Sequence, residues 1–440
     1  MKKTSKLNNK VKYILIILVS LLIIYLVYFA FVKLFCDPYR GTFDGEVVSM
    51  SLDSSLTKEQ AKEDLDYVMK MFRTRHPAWL EENNRRVESV ENQYKEELEN
   101  LNKSDSITVM DEWRSISRIM HELQDGHSRA YYDSPDLTYI DDFAQVKEYG
   151  CPVKINDEPI EQILDRVHSL FSYEIEDYVD YIFVEMFIQN KEYLDLYGID
   201  TSEGVTFTFD TDEGPVDYHY DFVLYDQAKI SEQEYDDKWV YYKISTDNNV
   251  GIFTLDSCND NSEYQETLQS FFDDVDKAGV KNIIVDLRNN GGGNSYVANQ
   301  FLKYVDVDGY NTWSSNVRFG PYLRKNRDSY MANERKEPQY SGNIYVLTSL
   351  KTYSAAMDFA MLVGDNNLGE LIGEPSGNMP DSYGDCLRFC TPNSNLGFTV
   401  SFKKWFRVDQ SKANEPLNPD YPCNADDAID KALEIINAKK

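Results

Sequence analysis

Between Tyr13 and Val32 the chain runs for twenty residues without a charge, YILIILVSLLIIYLVYFAFV. A backbone in hydrocarbon must satisfy its own hydrogen bonds, which leaves such a run one conformation, the helix. At 1.5 Å per residue the run covers the roughly 30 Å core of a bilayer. Five lysines (Lys2, Lys3, Lys6, Lys10, Lys12) precede it, and the bulky Phe31-Val32-Lys33-Leu34-Phe35 that closes it holds no small-x-small cleavage site. The expectation is an uncleaved anchor rather than a removed signal peptide. By the positive-inside tendency, the N-terminus is cytoplasmic and everything past Phe35 is outside the cell membrane.

Charge then narrows the partners. Lys+Arg number 45 against Asp+Glu 75, a net −30, and the six lysines of residues 1–35 leave −36 for the remainder. Such a surface repels a phosphate backbone, so nucleic acid is excluded as the main partner. Six cysteines (Cys36, Cys151, Cys258, Cys386, Cys390, Cys423) are too sparse in 440 residues for a disulfide scaffold and have no zinc spacing, so neither a metal nor a cofactor is expected.

Past the anchor (13–35, behind a tail 1–12) and a linker 36–56, three textures follow. From 57 to 135 the pattern is helical: KEQAKEDLDYVMKMF places Ala61, Leu65, Val68, Met69 and Phe72 on one face, and MDEWRSISRIMHEL repeats the period. Residues 136–230 read as a mixed α+β segment, with GVTFTFDTDEGPVDYHYDFVLY folding at DEG into a hairpin. From 231 to 440 apolar runs alternate with helical windows (VGIFTLDS, YQETLQSFFDDVDKAG, NIIVDLR, SYVANQFLKYV, NIYVLTS, SAAMDFAMLVGD), a mixed crossover α/β plan with buried, largely parallel strands.

In such a sheet ligands bind beyond the carboxyl ends of the strands. After NIIVD come Arg288-Asn289-Asn290-Gly291-Gly292-Gly293, whose bare backbone amides can approach a developing negative charge; on its own a triple glycine is as readily a turn. After NIYVL comes Ser354, at the start of a helix and followed by Ala355 and Ala356. A serine there is by default an N-cap, yet the same position suits a nucleophile, because the helix N-terminus stabilises an oxyanion. A serine needs a base. Five histidines are present, and His127 sits at a glycine turn in Leu123-Gln124-Asp125-Gly126-His127-Ser128.

Taken together, NIIVDLRNNGGG (282–293), NIYVLTSLKTYSAAMDFAMLVGDN (343–366), LIGEPSGNMP (371–380), LRFCTPNSNL (387–396) and LNPDY (417–421) resemble the S41 group of serine peptidases, related to the C-terminal-processing peptidases and the tricorn core protease. HPAW (76–79), LQDGHS and VKINDEPIEQIL (153–164) resemble further segments of its outlying members. The resemblance implies a ClpP/crotonase-like α/β core, Ser354 as nucleophile, and an oxyanion hole from the amides of Ala355 and of Gly291 or Gly292. The processing peptidases take a lysine about two dozen residues after the serine as base, but Thr352 to Leu387 contains none, and Asn378 or Met379 falls at that place. The tricorn-like subtype takes a histidine from a segment like Asp125-Gly126-His127-Ser128, which points to His127. Its orienting acid precedes the Pro419-Asp420 motif, where Glu415 is the nearest acid upstream. The implied activity is peptide-bond hydrolysis of peptide or protein substrates outside the membrane. The alternative keeps the fold without the chemistry, as a peptide- or ligand-binding protein.

Overall fold

The structure, a computed structural model, describes residues 9–229, 238–327 and 329–439. The first eight residues of the expected tail and the junction expected at 230–231 lie outside them. Helix α1 (Asn9–Phe31) carries the uncharged run, and its side chains are exposed from Val11 to Phe31. It is long and apolar enough to cross a membrane.

Three helices follow: α2 (Lys58–Arg75), α3 (Arg85–Lys103) and α4 (Val109–His121). Local chemistry sets where α2 and α4 begin. Thr57 and Gln60 exchange hydrogen bonds at the start of α2, and Thr108 and Asp111 do the same at α4, each satisfying amides a helix leaves bare. Ala61, Leu65, Val68, Met69 and Phe72 are all fully buried, the face that periodicity predicts. The chain leaves α4 through the Asp125–Ser128 turn into strand β1 (Ala130–Tyr131).

The mixed segment contributes β2 (Lys154–Ile155), β3 (Glu158–Pro159), α5 (Ile160–Ser169), α6 (Glu176–Ile182), β4 (Val205–Phe209) and β5 (Val216–Tyr220). Strands β4 and β5 form the antiparallel hairpin expected around DEG, and the sheet order is β3-β2-β4-β5.

The remainder is built on β6 (Val240–Ser245), β7 (Val250–Leu255), α7 (Ser262–Ala278), β8 (Asn282–Asp286), α8 (Tyr296–Leu302), β9 (Ser314–Phe319), β10 (Tyr322–Asn326), β11 (Asn343–Thr348), α9 (Ala355–Asp365), β12 (Glu370–Gly373), β13 (Tyr383–Cys390), β14 (Gly397–Phe406), β15 (Tyr421–Pro422) and α10 (Ala428–Ala438). Six of these strands pair in the order β6-β7-β8-β11-β12-β15, parallel except for β6. One face of this sheet is covered by α7, α8 and α9 and the other by α10, so β8 is buried at every residue. A second sheet, β10-β9-β14-β13, is antiparallel, and β14 also pairs with β1.

Packing ignores the boundary between the textures. Phe72, Trp113, Ile163 and Phe207 share one apolar core with Leu387, Phe389, Phe398 and Val400 of the second sheet. The helical and mixed segments are thereby held against the end of the molecule where the parallel strands stop.

Candidate active site

Strands β8 and β11 are neighbours in register, Ile284 opposite Tyr345, so the loops leaving their carboxyl ends emerge side by side. Those loops are stitched together. The Ser349 hydroxyl donates to the Arg288 carbonyl (2.5 Å), Thr352 Oγ1 to the Leu287 carbonyl (2.9 Å) and the Tyr353 amide to the Asn290 carbonyl (3.1 Å). The consequence is that the triple glycine and Ser354 share one site.

Ser354 stands at the N-cap of α9, but its side chain caps nothing, and its φ of 53° lies where a residue with a Cβ is rarely held. What holds it is Asn378, whose Oδ1 accepts from the Ser354 amide at 2.7 Å. Asn378 is one of the two residues near the place where a lysine base would be expected, and here it fixes backbone. Against Ser354 lies Gly292 at φ 105°; a Cβ there would come within 2.9 Å of the Ser354 Cβ and 3.1 Å of the Ala355 nitrogen. Only glycine permits that approach.

The amides around the serine differ in what they do. That of Gly292 donates to Asn290 Oδ1 at 2.8 Å, and Asn290 is itself anchored to the Leu255 carbonyl. Those of Gly291 and Ala355, the first residue of α9, have no acceptor among the described residues. One turn into α9, Asp358 is buried and accepts from the Ser295 hydroxyl at 2.8 Å; burial pushes its carboxyl up to about 7.

His127 reaches the same place from the helical segment. Its ring packs on Tyr353, the residue before Ser354, at 5.0 Å between centroids, and Gly384 of β13 lies against its edge. Strand β14 fixes its backbone: Thr399 Oγ1 donates to the His127 carbonyl (2.7 Å) and the Ser401 amide to the Ser128 hydroxyl (2.9 Å). Both ring nitrogens are buried and bonded by no side chain. Burial lowers the imidazole below its ordinary range against the opposing pull of Asp125, so the ring is neutral and able to accept a proton at neutral pH.

Under the ring lies a carboxylate hub. Asp125 accepts from the Ser128 hydroxyl (2.5 Å), from the His127 amide (3.0 Å) and from His76 Nε2 (3.1 Å). The Ala78 amide donates to His76 Nδ1, so the proton of this buried imidazole is on Nε2. Burial works to raise the Asp125 carboxyl, but these bonds and the imidazole charges hold it at about 2. Beside it is Glu174, from the loop before α6, whose Oε1 accepts from the Gly126 amide at 3.1 Å. Burial and then the Asp125 charge push Glu174 up to about 8. A side chain on Gly126 would collide with both the Tyr353 hydroxyl and Glu174. Asp125, His127 and Glu174 each bring an atom within 4.8 Å of the others, a spacing that would also suit a metal ion.

Of the residues named from sequence, Ser354, Ala355, Gly291 and Gly292 therefore lie together, with His127 joined to them through Tyr353. Glu415 lies apart. It is exposed on a loop, its own carbonyl takes a hydrogen bond from Arg407, and it makes no contact with His127. Sequence reasoning passed over Asp125 and His76, although both sit in segments it quoted. It had no signal for Glu174, which is 47 residues from His127 and in no motif.

Residues 249–423 match peptidase family S41. That stretch, less than half of the chain, is what is similar to the family. Its enzyme class is serine-type peptidase, and the matched stretch holds Ser354 and the glycine loop but not His127. The S41 core and both flanking segments together resemble solved structures at low sequence identity. Mature CPAF superposes with a TM-score of 0.62 at 11% identity, over 87% of this chain and 96% of that one. CPAF complexed with lactacystin gives 0.61 at 11%, over 87% and 98%. A putative peptidase from Parabacteroides merdae ATCC 43184 gives 0.51 at 15%, over 88% and 98%. At these identities the likeness is one of fold. No curated protein sequence matches the chain.

Proposed function

We propose that this S41 chain is a membrane-anchored peptidase, with its catalytic part outside the cell, in which Ser354 is the nucleophile and His127 the base. The observation that carries the reading is the nucleophile's setting: a serine held at positive φ, uncapped, followed by the unpaired Ala355 amide, with the glycine loop against it at Gly292 and a neutral imidazole packed on the preceding Tyr353. His127 takes the Ser354 proton as Oγ bonds to the peptide carbonyl carbon. The carbonyl oxygen, now an anion, is received by the amides of Ala355 and Gly291, since that of Gly292 is engaged by Asn290. His127 returns the proton to the leaving amine as the C–N bond breaks, and water repeats the sequence to release the acyl group. The backbone strain at Ser354 keeps its Oγ off the amides it would otherwise cap.

The test is fluorophosphonate labelling of the full chain in detergent. Wild type is expected to be labelled at Ser354, with labelling abolished in Ser354→Ala and reduced at least about 1,000-fold in His127→Ala. A folded wild type that resists labelling would favour the binding-protein alternative. Thiol-reactive tagging of single cysteines on either side of α1, in intact cells, tests the orientation; tagging of Lys2→Cys from outside would reverse it.

A further inference from the structure

A histidine base needs one ring nitrogen bearing a proton and aimed at an acceptor, so that the other presents its lone pair to the serine. No side chain bonds either ring nitrogen of His127, on which the Tyr383 backbone acts, and Glu415 is exposed on its loop with no bond to the site. Two carboxyls are near. Asp125 is fully committed, to His76, Ser128 and the His127 amide. Glu174 has only one oxygen committed, to Gly126, while its Oε2 is buried without a partner. An atom of the Glu174 carboxyl lies within 4.8 Å of a ring nitrogen of His127, and the Tyr353 hydroxyl, also unpaired, lies with Glu174 Oε2 beside Gly126.

We propose that Glu174, rather than an acid near the C-terminal Pro-Asp motif, is the positioning residue for His127, and that its ionisation selects the catalytic tautomer. The inference rests on the reading of His127 as base. Protonated, Glu174 donates O–H to a ring nitrogen and places the imidazole proton on the other one, toward Ser354, where it blocks proton acceptance. Ionised, it accepts the ring N–H and turns the lone pair toward Ser354. One proton leaves Glu174 to solvent in the switch, and no bond to carbon changes.

The groups that face this pair come from every neighbouring element. Asp125 and His76 lie below it, and Arg86 of α3 acts on Glu174. Arg129 and Asp385, the latter paired with Lys403, act on His127, and the Tyr178 and Tyr353 hydroxyls close the side. Of these, the ionised Asp125 is the one that resists a second negative charge, which places the switch in the alkaline range, near the value of about 8 that Glu174 carries.

The experiment follows the rate of fluorophosphonate labelling from pH 6 to pH 10 in the full chain, for wild type, Glu174→Gln and Glu174→Asp. Expected is a rate that climbs about tenfold per pH unit and levels near pH 8 in wild type, a limb that is absent in Glu174→Gln and retained, though displaced, in Glu174→Asp. A limb unchanged in Glu174→Gln overturns the proposal. Should Ser354 prove unreactive, the tautomer is still read directly: in Ser354→Ala protein with 15N-labelled histidine, the His127 nitrogen shifts should exchange character through the Glu174 titration and stay fixed in Glu174→Gln. Fixed shifts in both overturn it. Loss of labelling in wild type with the tautomer switch intact would instead count against Ser354 as nucleophile, so the two failures are separable.

Discussion

The two halves of the site are made of different materials. The serine half presents mainly backbone, the glycine loop and the start of α9, held in place by the Ser349, Thr352 and Asn378 side chains and by adjacent parallel strands. The histidine half is side chains: Asp125, His76, Ser128 and Glu174, gathered from three stretches and held by β14. The backbone half tolerates no added atoms at Gly292. A side-chain site tolerates atoms but answers to protons.

The sharpest way to break that contrast is to add one atom group to the backbone half. Gly292→Ala should cost at least about 100-fold in labelling rate, since the new methyl meets Ser354 and Ala355 and would tilt the amides proposed to receive the oxyanion. A variant that labels normally would mean the glycine loop is a turn and no more. Next in size, Asp125→Asn replaces one acceptor oxygen, such as the Oδ2 that takes the His76 and Ser128 bonds, with a donor and should destabilise the fold by about 3 kcal/mol at pH 7, measured by denaturant unfolding. The pH dependence has a definite sign. The Asp125 carboxyl is lowered on folding, so its contribution is complete above its ordinary value of 3.8 and is lost as the pH falls toward about 2. The gap between wild type and Asp125→Asn should therefore narrow between pH 4 and pH 2; a constant gap would show that Asp125 acts by shape alone. The smallest effect belongs to Glu415→Gln, which should change labelling less than about twofold, because an exposed side chain with no partner at the site has little to lose. A large loss there would move the acid back to the C-terminal motif and unseat Glu174.

The same division governs what could be read before any coordinates. The parallel sheet, the glycine loop and Ser354 were legible because each is a short stretch whose chemistry lies between sequence neighbours: apolar runs for buried strands, glycine for close approach, a small-residue helix start for an exposed amide. The helix faces of α2 and α4 were legible for the same reason. His127 was found through its turn, but its company was not, since Glu174 and His76 approach it only through the fold and their sequence surroundings are ordinary. Glu415 is the reverse case, near a motif along the chain but exposed on its loop with no bond to the site. Asn378 is the intermediate case. The missing lysine was visible in sequence, whereas the job its replacement does, fixing the Ser354 amide, required the structure.

Strand β14 is paired with β1 at Gly397 and Phe398, opposite Tyr131 and Ala130, and it is this late strand that pins the turn bearing His127. During synthesis the histidine emerges long before the serine, and the strand that aims it emerges after both. A nascent chain therefore carries the separated parts of a hydrolase and no working one until almost its whole length has been made and docked. For the membrane-anchored peptidase proposed above, delayed assembly of this kind would keep the catalyst silent until the chain is nearly complete.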